Sequence, residues 1–314
     1  MKRRILIFEN KLRRSFLSRF KGHVIKKVGI VSCDKFRGHI LDDLLLQRYF
    51  LKHGVVADII SWQDEAIEYG NYNGLIIGSM WGYQNYLEDF SKWLSKIEDA
   101  GLVVINPLSV IRENYDKSKQ FEILKKAGLP IIDTSTIGVG QINKLKDFAR
   151  DVVIKPAISG SGENTFLVHN KGEFDRLKKK LEMINKEREL LVQPFISEIC
   201  KGELGVVMVG GKIVNVVRRF PGILEGNYKV ELVPKNALSE EAAQLARKVA
   251  DLTEYKQAVY LRIDMVLTHE GYRLMEVEAF EPQLYYYLLS DDLREKMLGL
   301  MFDNAMRQID DSKR

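Results

Sequence analysis

The sequence predicts an α/β protein that turns to α+β in its C-terminal part. Three observations carry this. From residue 28 to residue 107, apolar strands alternate with helix-period segments, which implies a small parallel sheet. Residues 152–168, VVIKPAISGSGENTFLV, read as strand, glycine-serine loop, strand. Two later strand pairs, 202–221 and 259–280, turn at Gly210-Gly211 and at His269-Glu270-Gly271, which implies antiparallel sheet.

The first strand is VGIVSC (28–33), a buried run. Gly38 to His53 follows as a helix, with Ile40, Leu44, Leu45, Tyr49 and Leu51 as apolar positions and Gly54 as its stop. VVADIIS (55–61) and YNGLIIGS (72–79) are the next strands. Asp89 to Ala100 is a helix stopped by Gly101, and LVVINP (102–107) is the fourth strand. A second unit starts near Asn114, where Asp116 to Ala127 is a helix ended by Gly128. After the strand–loop–strand come a charged helix, Lys171 to Glu187, and the strand LLVQPFI (190–196). Ser239 to Thr253 is a helix with Ser239 as N-cap and Glu240 and Glu241 in its first turn. The expected domains are an arm (1–26), an α/β domain (27–110), a central subdomain (111–196) and a C-terminal subdomain (197–314).

At 314 residues the chain exceeds one typical domain. Its 46% hydrophobic and 29% charged content fits a soluble globular enzyme. Cys33 and Cys200 lie far apart in no metal-like spacing, which argues against a disulfide framework and for a reducing cytoplasm. No apolar run nears the roughly 20 residues that span a bilayer. The net charge of +5 is uneven: residues 1–27 hold ten Lys/Arg and one acid, so the remainder is net acidic. That disfavours a nucleic-acid-binding body. In the arm, Ile5, Phe8, Leu12, Phe16 and Phe20 stand near helical spacing. They read as a basic amphipathic helix for an acidic partner or a membrane surface, or as an arm packed on its own domain or a second subunit.

The glycine loop Ile158 to Asn164 is flanked by strands on both sides, unlike a loop that opens a helix, and Lys155 stands where the chain enters it. Exposed N–H groups in such a loop cradle phosphate oxygens, and Lys155 adds a positive charge; an ordinary Gly-Ser hairpin is the bland alternative. Asp264 interrupts an apolar run, and Glu276 and Glu278, two apart on the next strand, share a face. Three converging carboxylates suit Mg²⁺, with Mn²⁺ as a substitute; a solvated acidic sheet face is the alternative. Gln193-Pro194-Phe195-Ile196 leaves irregular backbone for an adenine edge, Glu203 suits a ribose hydroxyl, and Arg218 and Arg219 suit a phosphoryl group.

The order of these features resembles the ATP-grasp ligase superfamily, nearest the cycloserine synthetase and glutathione synthetase-like branch. Ser79-Met80-Trp81-Gly82-Tyr83, Asn106-Pro107, Asp116-Lys117, Gly226-Asn227-Tyr228-Lys229-Val230 and EVEAFEP (276–282) carry the likeness. It implies an ATP-grasp fold behind a Rossmann-like preATP-grasp domain. It further implies that Lys117 and Lys155 hold ATP phosphates and that Ser159, Gly160, Ser161 and Gly162 form a mobile phosphate lid. Phe195 and Ile196 would read adenine through their backbone, Glu203 would bind ribose, and Asp264, Glu276 and Glu278 would hold one or two Mg²⁺. Arg218 or Arg219, with Arg218 preferred, would stabilise the phosphoryl group in flight. The implied activity is an ATP-dependent ligation of a small-molecule carboxylate to an amine, through an acylphosphate, by a homodimer. A peptide or protein acceptor, or a non-catalytic nucleotide-binding regulator, are the alternatives. Gly205, Asn227 and Lys229 depart from the relatives' pattern, which points to a different substrate.

Overall fold

The computed structural model describes residues 26–145, 150–160, 162–220 and 229–312. The basic helix expected in the arm up to residue 25, Ser161 of the expected phosphate lid, and Gly226, Asn227 and Tyr228 of the Gly226–Val230 likeness lie outside the described residues. The described chain forms two compact units: residues up to Ile105 together with those from Tyr285 onward, and Asn106–Leu284.

In the first unit, β1 (Lys27–Ser32), β2 (Val56–Ser61), β3 (Gly74–Ile77) and β4 (Val104–Ile105) form a parallel sheet in the order β2-β1-β3-β4. Helix α1 (Leu41–Lys52) joins β1 to β2, and α2 (Leu87–Asp99) precedes β4. The alternation read from the sequence is therefore present. The fourth strand is shorter than expected, because Asn106-Pro107 ends it. After β4 the chain forms α3 (Leu108–Asn114) and α4 (Lys117–Lys126) in the second unit. A 21-residue helix, Asp291–Asp311, had no sequence expectation. It joins the first unit, ion-pairing Glu295 with Lys52 and Asp310 with Lys26, both at 2.5 Å. Among the described residues no helix is long and apolar enough to cross a membrane.

A buried acid sits in the first turn of α1. Asp42 Oδ2 accepts from the Tyr285 N–H at 3.0 Å, while Oδ1 has no hydrogen-bond partner among the described residues. Burial, reinforced by neighbouring Asp43, pushes Asp42 up to about 7 from 3.8. Between those values the folded chain holds a proton that the unfolded chain has released. Stability therefore falls as pH rises through this window. Asp42→Asn is expected to stabilise the protein by roughly 2–4 kcal/mol above pH 7 and by nothing below about pH 4. Urea unfolding at both pH values checks this, and an equal effect at each would refute it.

The second unit holds two antiparallel sheets. The smaller, in the order β5-β8-β6-β7, contains β5 (Ser135–Ile137), β6 (Val152–Pro156), β7 (Phe166–Val168) and β8 (Leu190–Pro194). Helix α5 (Lys171–Asn185) packs Phe174 and Leu181 onto Ile154, Val168 and Leu190. The larger sheet runs β11-β10-β9-β12-β13, from β9 (Glu203–Val209), β10 (Lys212–Phe220), β11 (Lys229–Val233), β12 (Tyr260–Thr268) and β13 (Gly271–Glu278). Gly210 and Gly211 both have positive φ, which the tight two-residue turn between β9 and β10 requires. Helix α6 (Glu240–Ala250) lays Ala242, Ala246 and Val249 into the core with Val206, Ile263 and Val277. Ser239 caps it, accepting from the Ala242 N–H at 3.2 Å, as its place before the apolar run predicts. The last helix, α7, is the Asp291–Asp311 segment described above.

Candidate active site

Strand alternation places the first lysine. In β6, Ile154 enters the small-sheet core and Lys155 takes the opposite face. β6 and β7 pair Ile154 with Phe166, so the glycine loop is the tip of a hairpin, as the sequence predicts. Lys117 arrives by a different route. Asp116 caps α4, accepting from the Ser118 N–H at 2.9 Å, and leaves Lys117 in the first turn. Its ammonium donates to the Ser159 carbonyl and lies 3.2 Å from Glu276 Oε1. Ser159 Oγ donates to the Pro156 carbonyl at 3.1 Å, which folds the start of the loop back toward β6.

The carboxylates come from neighbouring strands. Asp264 pairs with Glu276 in register, and the ligand atoms of Asp264, Glu276 and Glu278 all lie within 4.8 Å of one another. The set is hard oxygen of the kind Mg²⁺ or Mn²⁺ takes, which fits the expectation of a metal. Two guanidiniums share this charge. Arg219 lies 2.5 Å from both Glu203 Oε1 and Asp264 Oδ2. Arg262 donates through Nε at 3.0 Å and Nη2 at 3.0 Å to Asp264, and through Nη2 to Glu278.

Electrostatics follow from burial and neighbours. Burial alone would raise Asp264, but Arg219 and Arg262 outweigh it and hold the carboxyl low. Burial pushes Glu278 up to about 7, against Arg262 and with help from Glu276 and Asp264. Burial also raises Glu203, and it lowers Lys155 despite the nearby Glu276, Glu203 and Asp264. Asp264 is fully buried while Glu276 and Glu278 keep 22% and 26% exposure, and the carboxylates stand among four basic side chains, Lys117, Lys155, Arg219 and Arg262.

The structure separates the two arginines, of which Arg218 is the one expected at the phosphoryl group. Successive residues of β10 point to opposite faces, and Arg219 is the one on the carboxylates. Arg218 instead packs its stem over Gly202, where an added Cβ would meet Arg218 Cγ at 2.6 Å. Arg219→Ala is therefore expected to cost turnover roughly 10²–10³-fold, and Arg218→Ala much less. The reverse order would restore the first assignment.

The adenine segment is narrower than expected. β8 stays regular through Pro194, and Gln193 spends its Nε2 on Thr134 Oγ1 at 2.8 Å. The Phe195 N–H donates to the Asp151 carbonyl at 2.9 Å. Gly160 and Gly162 lie on the hairpin tip, Gly162 with φ of 71°. Sequence reasoning missed Arg262. The available signal was a second charge in an apolar strand, two residues before Asp264 and so on its face. Gly205 faces Asp264 in register, and a Cβ there would sit 3.1 Å from Asp264 Oδ1 and 3.4 Å from Arg262 Cδ. Its missing side chain leaves room for that pair.

Known proteins resemble this chain in two parts. The model of the RimK-like ATP-grasp domain matches residues 114–298, and that of the D-cycloserine synthetase DcsG N-terminal domain matches residues 28–106. A glutathione synthetase of Parasynechococcus marenigrum (strain WH8102) is 25% identical over 199 residues, covering 60% of this chain and 60% of that protein. This chain thus spans less than two thirds of that relative's length. The crystal structure of D-cycloserine synthetase DcsG superposes with a TM-score of 0.75 at 16% identity, over 90% of this chain and 99% of the other. D-alanine–D-alanine ligase from Bacillus anthracis gives 0.64 at 17% identity, over 91% and 99%. The motif resemblance and the mixed α/β fold expected from it both agree with these likenesses.

Proposed function

The chain belongs to the RimK-like ATP-grasp family, and from that premise we propose that it is an ATP-dependent ligase joining a small-molecule carboxylate to an amine. One observation carries the reading: Lys117, on the glycine-loop side, lies 3.2 Å from Glu276, itself one of three clustered carboxylates. Phosphate-binding cations and metal-binding anions meet where a magnesium-bound triphosphate needs both.

In this reading Lys117, Lys155 and the loop from Ser159 to Gly162 take the phosphates. The Phe195 carbonyl and Ile196 N–H meet the adenine edge, because the Phe195 N–H is already committed to Asp151. Glu203 takes a ribose hydroxyl. Asp264, Glu276 and Glu278 hold Mg²⁺, which when bound neutralises phosphate charge. A substrate carboxylate oxygen attacks the γ-phosphorus and ADP leaves, giving an acylphosphate. The amine nitrogen then attacks the acyl carbon, loses a proton and expels phosphate. Arg219 and Arg262 face the charge that develops during phosphoryl transfer, which calls for positioning and electrostatics more than for a protein nucleophile.

The test is a phosphate-release screen with ATP, Mg²⁺, pooled amino acids and small carboxylic acids. ADP and phosphate should form in equal amounts, only when an acid is present, with a condensed product by mass spectrometry. ATP binding without ADP formation across the whole panel would overturn the ligase reading and favour a nucleotide-binding regulator. A chain lacking residues 1–24 separates small-molecule from peptide acceptors, since small-molecule turnover should survive the deletion whereas modification of a peptide or protein partner should fall.

A further inference from the structure

β13 carries Glu276 and Glu278, yet it is the outermost strand of its sheet. Its free edge is covered in two ways. At Leu274 the cover is backbone: the Leu274 N–H donates to the Pro130 carbonyl at 2.8 Å, and the Ile132 N–H to the Leu274 carbonyl at 3.1 Å. Beyond Leu274, side-chain amides take over. Gln120 Oε1 accepts from the Val277 N–H at 3.1 Å, and Asn114 Nδ2 donates to the Val277 carbonyl at 2.6 Å. Asn114 Oδ1 accepts from the Ala279 N–H at 2.6 Å. Gln120 Nε2 donates to the Asn114 carbonyl, which ties the two amides together. Asn114 and Gln120 are buried and stand in for a missing neighbour strand.

The cover begins where β13 changes phase. Asp264 pairs with Glu276 but Met265 pairs with Leu274, so Met275 is an extra, bulged residue. Leu274 and Val277 both lie in the core, three positions apart. A regular strand would put Leu274 and Glu276 on the same face. The bulge re-phases the strand, so Leu274 stays in the core while Glu276 and Glu278 join Asp264. A bulge also interrupts the ladder to β12, so the re-phased stretch leans on its outer edge.

Resting on the ligase reading, we propose that Asn114 and Gln120 are positioning residues for the metal carboxylates. Their amides bond backbone rather than any carboxylate, and they fix the strand segment that carries Glu276 and Glu278. Lys117 lies on the same stretch of chain, but the Asp116 cap on the Ser118 N–H starts its helix, and neither amide touches it.

The experiment measures Mn²⁺ binding to the full chain by the electron paramagnetic resonance of free Mn²⁺, without acceptor, alongside ATP affinity in the absence of metal. Asn114→Ala and Gln120→Ala should each weaken Mn²⁺ binding by roughly 10- to 100-fold and leave metal-free ATP affinity unchanged. Leu181→Ala, a cavity in the small-sheet core, should lower the melting temperature with native Mn²⁺ affinity. If Asn114→Ala does not fold, Gln120→Ala decides, because it removes a single bond to β13. Native Mn²⁺ affinity in folded Gln120→Ala, or equal weakening in Leu181→Ala, would overturn the positioning role. A native chain that binds no Mn²⁺ with or without ATP would overturn the ligase reading itself, and the positioning role with it.

Discussion

Lys155→Ala is expected to abolish acid-dependent ADP release, lowering turnover by about 10³-fold or more. The side chain leaves a rigid strand held on both sides, by β7 and β8, so its ammonium is delivered with little freedom. It is partly buried; burial pulls its pKa down, and Glu276, Glu203 and Asp264 oppose that pull. A cation held this way gains when a triphosphate arrives, since water screens a partly buried pair less than an exposed one. Without it, Lys117 alone faces the phosphates from the loop side, and the acidic cluster repels them. Calorimetric titration with ATP should show weaker binding, and a coupled ADP assay should show the loss of rate. Near-native turnover in this variant would remove Lys155 from phosphate binding and would leave the glycine hairpin an ordinary turn.

Much of this site was legible because short-range rules govern it. Ser239 before an apolar run gave a helix start. Glu276 and Glu278, spaced by two, gave a shared face, and the flanks of the glycine loop gave a hairpin rather than a helix. The features that stayed hidden need information beyond a single element. In β10, Val216 and Val217 are both buried, so no polar-apolar alternation marks which of Arg218 and Arg219 faces the acids. Met275 is invisible as a bulge because Leu-Met is as good in a regular strand. Arg262 also reaches Glu278, sixteen residues later on another strand, a partner that spacing within its own strand does not show. Helix α7 has buried residues Met297, Leu298, Met301, Ala305 and Ile309 at helical spacing. Its partners Lys26 and Lys52 lie more than 240 positions away, and periodicity does not say which unit such a helix joins.

Asp264→Asn and Glu276→Gln should both stop catalysis, and their stabilities should separate them. Each removes one carboxylate from a three-acid set, so each should raise the Mg²⁺ needed for turnover and cut the rate by about 10³-fold. Asp264 is fully buried between two guanidiniums, and its charge balances both Arg219 and Arg262. Neutralising it leaves buried cations short of an acceptor, a loss on the order of 3–5 kcal/mol. For a unit of this size that lowers the melting temperature by roughly 10 °C. Glu276 is different: its side chain keeps 22% exposure and pairs with Lys117, which also holds the Ser159 carbonyl. Glu276→Gln retains an oxygen for that lysine and should melt within a few degrees of the native chain. Differential scanning calorimetry in metal-free buffer, with turnover measured across a Mg²⁺ series, reads both quantities. A variant pair with equal melting temperatures would mean that Arg219 and Arg262 do not depend on Asp264. A Glu276→Gln enzyme with native Mg²⁺ dependence would take that residue out of the metal site.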